Sequence, residues 1–515
     1  MSRNIRSLTG SHSRYRRSAK VVNQGYGQHG ANQNKNSLAG WKSVLGSALE
    51  DIERNIPKLR ERSRDLYMGA PLATGALKTT RTNVIGAGLK LNSQIDYEYL
   101  GMTVEEADAW ETKVEREFNL WAESIHCDAQ RMNNFYELQQ LAFISWLMSG
   151  DVFSLLPIIP RINMPYDLRV QLIEADRVCT PMSKSFDNKI VNGVEVGAFG
   201  EVIAYHIAQQ HPHSVGITKQ EWKRVEKFGS KTGRPNILHL MESERPEQRR
   251  GVPILAPVIE SLKQLARYSE AELMAAVVSG MFTVFIKSKT PEESQLGNAI
   301  HPDDQLGDLD EGSYELGNGA IVALGEGEEV QESNPGRPNT AFDGFVTSIC
   351  RQIGSAIEIP YELLMKHFTA SYSASRAALL EAWKMFKMRR TWMANDFCQP
   401  IYEEWLSEAV AKGRINAPGF FTDPIARKAY CSAEWNGPSQ GQIDPLKEVN
   451  AAIKRVDNGF STRQRETVEL NGGDFYKNHR QRVVEEQLRR EGGLVVSEQT
   501  STDNQEQEVD NGKEV

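Results

Sequence analysis

Residues 361–390 read YELLMKHFTASYSASRAALLEAWKMFKMRR and crowd Lys366, His367, Ser371, Ser373 and Ser375 just ahead of a long apolar and basic run. A hydroxyl beside an imidazole can act as a nucleophile with its base. A hydrolase of unfamiliar type using Ser373 and His367 is therefore one reading. The local pattern opposes it: no G-x-S-x-G elbow encloses these serines, no S-x-x-K follows them, and the residue three after Ser373 is Arg376. A serine just before a helix accepts hydrogen bonds from the free amides of the first turn. Capping, by Ser373 among them, is the role this spacing favours.

Other chemistry fails on spacing. A phosphate-binding loop needs G-x-x-x-x-G-K-[ST], whose amides wrap the phosphates; in FGSKTGRP, Ser230 separates the glycine from the lysine. The glycines at 86 and 88 lack the third member of a dinucleotide fingerprint. The string HPDDQLGDLDEG offers Asp303, Asp304, Asp308 and Asp310. Counted from Asp308, however, the fifth and sixth positions are Gly312 and Ser313, where a calcium loop needs an acid or amide and then glycine. His211 and His213 flank Pro212 in a turn and read as surface histidines. Cysteines at 127, 179, 350, 398 and 431 form no CxxC pair and are expected as separate buried thiols. No metal, no cofactor and no enzymatic activity are expected.

The elements around these residues follow from composition and period. The 515 residues are 40% hydrophobic and 25% charged, a soluble composition long enough for several domains. No run of 18 uncharged apolar residues could span a membrane, and the N-terminus lacks a secretory apolar core. The net charge is −8, but no acid precedes Glu50, so 1–44 reads as a basic disordered arm. Leu45, Leu49, Ile52, Ile56, Leu59 and Leu66 predict an amphipathic helix over 45–67. Pro71 opens a second helix that Gly86 and Gly88 end, LKLNSQI reads as a strand, and Thr103 with Glu106 forms a capping box ahead of a helix bearing Trp110, Val114, Phe118 and Trp121 on one face. Another helix covers 134–149, and strands follow in DVFSLLPIIPR, LRVQLIEADRV, GEVIAYHIAQQ and NILHLM. The fold class is α+β. A helix ending at Gly280 and another over 340–357 bracket an acidic, glycine-rich stretch, 282–337. A long helix from 374 to 412 is expected to kink at Pro400, helices are expected over 445–458 and 474–490, and 493–515 reads as a disordered tail.

This order of parts resembles the portal proteins of tailed bacteriophages, of the lambda type. The likeness is carried by RSRDLYMGAPLATGALKTTRTNVIGAGLKL, VQLIEADRV, RPEQRRGVPILAPVIESLKQLARYSEAEL, IPYELLMKHFTASYSASRAALLEAWKMFKMRR and WNGPSQGQIDPLKEVNAAIKRVDNGFSTRQRETVELNGGDF, in the family's order across most of 45–490. The resemblance implies a portal fold: a ring-forming subunit with wing, two-helix stem, clip, tunnel loop followed by a long kinked helix, and helical crown. Mapped onto this chain, 45–252 and 376–445 are wing, 253–281 and 338–358 stem, 282–337 clip, 359–375 tunnel loop and 446–492 crown. It implies a homo-oligomer, a dodecamer, at one capsid vertex of the virion, assembled in the host cytoplasm. Double-stranded DNA would pass through its channel during packaging and ejection. The implied partners are the terminase large subunit, head-completion and tail adaptor proteins, and the major capsid and scaffold proteins, with no membrane. Lys366, His367, Ser371 and Ser373 would belong to the tunnel loop, and Asp303, Asp304, Asp308 and Asp310 to partner docking in the clip.

An acidic ring suits moving DNA. Duplex DNA carries one charge per about 1.7 Å of axis, so a neck of roughly 37 Å faces roughly 22 phosphates. A wall rich in cations would hold that duplex; sparse cations in an acidic wall let it slide. A third reading, a sequence-specific DNA-binding protein acting through its arm, is weakened by a pI of about 5.8 and by the lack of a compact basic motif in the body.

Overall fold

The computed structural model describes residues 36–494 except 39, 42, 186, 188, 216–219, 281–283, 289–327, 333–341, 369–370 and 442–443. The helix expected over 45–67 is divided: a π-turn, Leu49–Glu53, precedes α1 (Ile56–Gly69). Pro57 causes the break, since its ring collides with the carbonyl four residues back and it has no amide to donate to it. Helix α2 (Pro71–Val84) follows, with proline in the first turn as expected. Strand β1 (Lys90–Ser93) leads to a short α3 (Tyr97–Leu100) and to α4 (Val104–Ala122), which the Thr103–Glu106 capping box starts. A second capping box, Asn134 with Glu137, starts α5 (Phe135–Ser149).

Gly150 ends α5 at φ 88°, and a Cβ there would lie 2.3 Å from the Gly251 carbonyl oxygen, so only glycine allows the two chains this close. Strands β2 (Asp151–Leu155), β3 (Gln171–Ile173), β4 (Ile190–Val191), β5 (Val194–Val196), β6 (Val202–Ala208), β7 (Trp222–Glu226) and β8 (Ile237–Met241) then form two antiparallel sheets, ordered β3-β2-β8 and β4-β5-β6-β7. Three of these strands escape a pattern reading. β4 and β5 are brief arms of a turn at Asn192 (φ 48°) and Gly193 (φ 80°), an Asn-Gly hairpin signal. β7 is a charged edge strand, WKRVE. The string FGSKTGRP forms the tight turn between β7 and β8, closed by the Gly229 amide on the Arg234 carbonyl at 2.8 Å, and starts no helix.

Helix α6 (Ile259–Gly280) pairs with α7 (Phe342–Ala356), and Tyr268 stacks on Phe342 with ring centroids 5.5 Å apart. Between them β9 (Val284–Ser288) pairs antiparallel with β10 (Glu328–Glu332). A short α8 (Tyr361–Met365) and a long α9 (Tyr372–Met393) follow. The expected kink is a π-turn, Ala394–Cys398, placed just ahead of α10 (Gln399–Ala411). Pro400 cannot donate to the carbonyl of Asp396, and the widened turn absorbs that missing bond. Helix α11 (Pro424–Tyr430) leads to β11 (Ala433–Asn436), which pairs with β1 and so joins early and late chain. Three helices close the described chain where two were expected: α12 (Pro445–Asp457), α13 (Arg463–Asn471) and α14 (Phe475–Glu491). α13 shows little apolar period and is held to α12 by Glu466, which pairs with Arg455 at 2.6 Å.

One large core gathers α1, α2, α4, α5, α9 and α10, with Phe118, Phe135, Phe397, Tyr402 and Trp405 in mutual ring contact. A smaller core lies between the sheets around Phe153, Tyr205 and Ile207. β2 serves both, sending Val152 to the first and Phe153 to the second, as a strand's alternation requires. All five cysteines are free, and all but Cys179 are buried.

At the start of β2 lies a wholly buried carboxylate. Asp151 accepts from Arg250 at 2.5 and 3.1 Å, Arg60 at 3.1 Å and the Gly251 amide at 3.2 Å, and His239 stands 3.3 Å away. Arg250 also donates to the carbonyls of Val178, Asn192 and Ala175, so its guanidinium makes five hydrogen bonds. Burial alone would raise the Asp151 pKa, but the two guanidinium groups reverse it and hold it well below the carboxylate range.

Candidate nucleic-acid interface

The segment between α7 and α9 begins with a tight reversal. The Ile359 amide donates to the Gly354 carbonyl at 2.8 Å, and Glu358 takes the left-handed conformation at φ 61°. This is a Schellman cap with glutamate where glycine usually stands. Gly354 is required one turn earlier, because a Cβ there would lie 2.5 Å from the Ile359 oxygen. Pro360 then starts α8, whose Leu364 is buried in the large core. Lys366 ends α8 in a second left-handed cap, φ 53°, with the amides of Lys366 and His367 both donating to the Glu362 carbonyl.

Lys366, His367 and Phe368 are exposed. Lys366 lines a groove of about 800 Å³ against α2 and has no ion pair among the described residues. Lys78 of α2 lines the same groove, and no acid does. Lys78 was not singled out from the sequence; among the threonines of α2 it reads as one more solvent-facing residue.

Ser371, not Ser373, caps α9: its hydroxyl accepts from the Ala374 amide at 3.4 Å. Ser373 lies one residue inside the helix with its hydroxyl 3.2 Å from that of Ser371. The cap must precede the first helical residue, and α9 begins at Tyr372, two residues before the expected start. No hydrogen bond joins His367 to Ser371 or Ser373 among the described residues, so no base is positioned at either hydroxyl. Asp303, Asp304, Asp308 and Asp310 lie outside the described residues.

Behind the loop, α9 is held by its cations. Arg376 reaches Glu448 at 3.2 Å and Lys387 reaches Glu469 at 3.1 Å. Arg390 donates to the carbonyls of Val84, Asn83 and Pro438, and burial lowers its pKa to about 10. Arg389 is buried and donates to Glu358 at 3.1 Å.

His211 sits closer to acids than a solvated histidine would, 3.5 Å from Asp176 and 3.7 Å from Glu174. The three side chains could draw together around a cation. Arg60 and Arg64 already neutralise Asp176, and Arg64 also pairs with Glu174, so the arrangement is an ion-pair cluster.

The site is therefore an exposed cationic loop on a rigid, salt-bridged helical support. The chain belongs to the lambda family of phage portal proteins, whose family model matches residues 34–390. Among curated relatives, the portal protein of Escherichia phage N15 is 24% identical over 476 residues, covering 89% of each chain. Portal protein B of Escherichia phage lambda is 23% identical over 478 residues, covering 89% of this chain and 88% of that one. Solved structures with some likeness include the neck of a native GTA (gene transfer agent) particle computed with C12 symmetry, at TM-score 0.41 and 12% identity over 81% of this chain and 94% of that one. Another is the neck of an empty GTA particle computed with C6 symmetry, at TM-score 0.43 and 14% identity over 84% and 95%.

Proposed function

We propose that this phage portal protein assembles into a ring of twelve at one vertex of the capsid, and that DNA enters and leaves through its channel. α6 and α7 then form the stem, residues 282–337 the clip, and 359–375 the loop that approaches DNA. α9 and α10 cross the wing, and α12, α13 and α14 build the crown. The terminase large subunit docks during packaging and head-completion or tail proteins dock afterwards, with Asp303, Asp304, Asp308 and Asp310 as docking charges. Capsid and scaffold proteins surround the ring.

The observation that carries this reading is Lys366. In a chain of this family, it is an exposed cation without a counter-ion among the described residues, at the tip of a turn between the helix pair and the long helix. One lysine per subunit gives a ring of weak contacts that a duplex can leave as readily as it meets them. The test is particle mass and shape: twelve chains of 57.9 kDa make a ring of roughly 700 kDa with a central hole in negative stain. A monodisperse monomer at assembly concentrations would refute the ring. ATP hydrolysis intrinsic to the chain would refute a passive channel served by a separate motor.

A further inference from the structure

Arg389 stands out among the buried cations of α9. It is 3% exposed, yet of its guanidinium nitrogens only Nη2 has a partner, Glu358 at 3.1 Å; Nε and Nη1 are buried without one. Arg250, equally buried, leaves no donor unused. The described side-chain partner of Arg389 is Glu358 alone, so losing that bond leaves the guanidinium buried with no described partner. Glu358, for its part, holds a left-handed turn that glycine would adopt freely. Its side chain is about half exposed and borders a crevice of about 560 Å³ between the end of α7 and α9, so it has room to swing.

We propose that Arg389 is the positioning residue of the 359–368 segment. It latches the turn at Glu358 and so fixes the direction in which α8 and Lys366 leave the stem. The importance of this latch for DNA rests on the channel reading above; the latch itself does not.

The test is amide hydrogen exchange over 361–368 in DNA-free, assembled protein, with α5 as an internal reference for global stability. Glu358→Gly removes the carboxylate but supplies the residue that suits φ 61° best. If the carboxylate latches the turn, exchange over 361–368 rises roughly tenfold or more, the factor a charge-assisted hydrogen bond supplies. If Glu358 is only a cap, glycine relaxes the turn and exchange slows, which overturns the proposal. Arg389→Lys keeps the charge but loses the planar fork, and is expected to leave α5 protected while 361–368 opens; unchanged protection over 361–368 would contradict the latch. DNA retention by the same variants is read separately. Protection lost with retention intact upholds the latch and removes this loop from DNA handling.

Discussion

Asp151 and the loop at Glu358 solve the same problem in opposite ways. Both place a carboxylate against buried arginine. At Asp151 every donor of Arg250 is used, no side chain is exposed, and a backbone amide adds a further bond. At Glu358 the carboxylate is half in solvent, the arginine keeps idle donors, and non-glycine residues sit in left-handed turns at both ends of α8. The first arrangement is held from every side; the second is held by one described side-chain hydrogen bond.

The largest expected effect is at the rigid end. Asp151→Asn leaves Arg250 buried without its counter-charge and Arg60 with Asp176 alone, and breaking such a cluster costs about 3–5 kcal/mol. Denaturant unfolding of the protein should show that loss. A change below about 1 kcal/mol would mean that the cluster is as adaptable as the loop, and the comparison would fail.

Ser371→Ala comes next, at about 0.5–2 kcal/mol, because it removes the hydroxyl that accepts the Ala374 amide. Ser373→Ala should cost less, since among the described residues that hydroxyl meets only the hydroxyl of Ser371. Ring assembly should survive both. The reverse ranking in thermal unfolding would put the cap back at Ser373.

Burial without a cation is the third case, and pH reveals it. Glu111 of α4 accepts the Ile95 amide at 2.8 Å; burial, with help from nearby Glu115 and Asp108, raises its pKa to about 7. Unfolded, the same side chain titrates near 4.3. Between these values the folded state holds a proton that the unfolded state has lost, so stability is present below about 4.3 and falls as pH rises to about 7. Glu111→Gln keeps an acceptor for Ile95 and should flatten that decline by up to one proton's slope. Unfolding free energies at several pH values between 4.5 and 7.5, compared with the parent, decide it; parallel curves would mean that Glu111 stays ionised.

How much of this was legible follows from what each element rests on. Apolar period and capping chemistry are local, so α2, α4 and α5 and the helices around 282–337 stood in the sequence nearly to the residue. α13 did not, because a salt bridge to α12 holds it. Nor did the break before α1 or the π-turn before Pro400, since proline's effect reaches back to a carbonyl four residues earlier. At the loop, Lys366, His367 and the capping serines were visible as residue types. The left-handed state of Lys366, its neighbour Lys78 and the Arg389–Glu358 bond were not, because they depend on chain separated by tens to hundreds of residues or on backbone angles without a glycine to announce them.

The smallest effect on stability and the most specific effect on function should meet at Lys366. It is exposed, makes no ion pair among the described residues and contributes only its backbone amide to the cap of α8. Lys366→Glu should therefore shift unfolding by no more than about 0.5 kcal/mol. Lys366→Gly should be neutral or stabilising by up to about 1 kcal/mol, because glycine takes φ 53° without a Cβ penalty. Both remove the charge, and Glu reverses it, so if twelve copies face the duplex both variants form normal rings yet retain less DNA, with Glu the weaker. The deficit should grow at low salt, where a Debye length of about 30 Å at 0.01 M lets the reversed charges act across the channel. Rings of Lys366→Glu that package and hold a full genome as the parent does, at low and moderate salt alike, would make this lysine a bystander and leave the loop's position, not its charge, as what meets DNA.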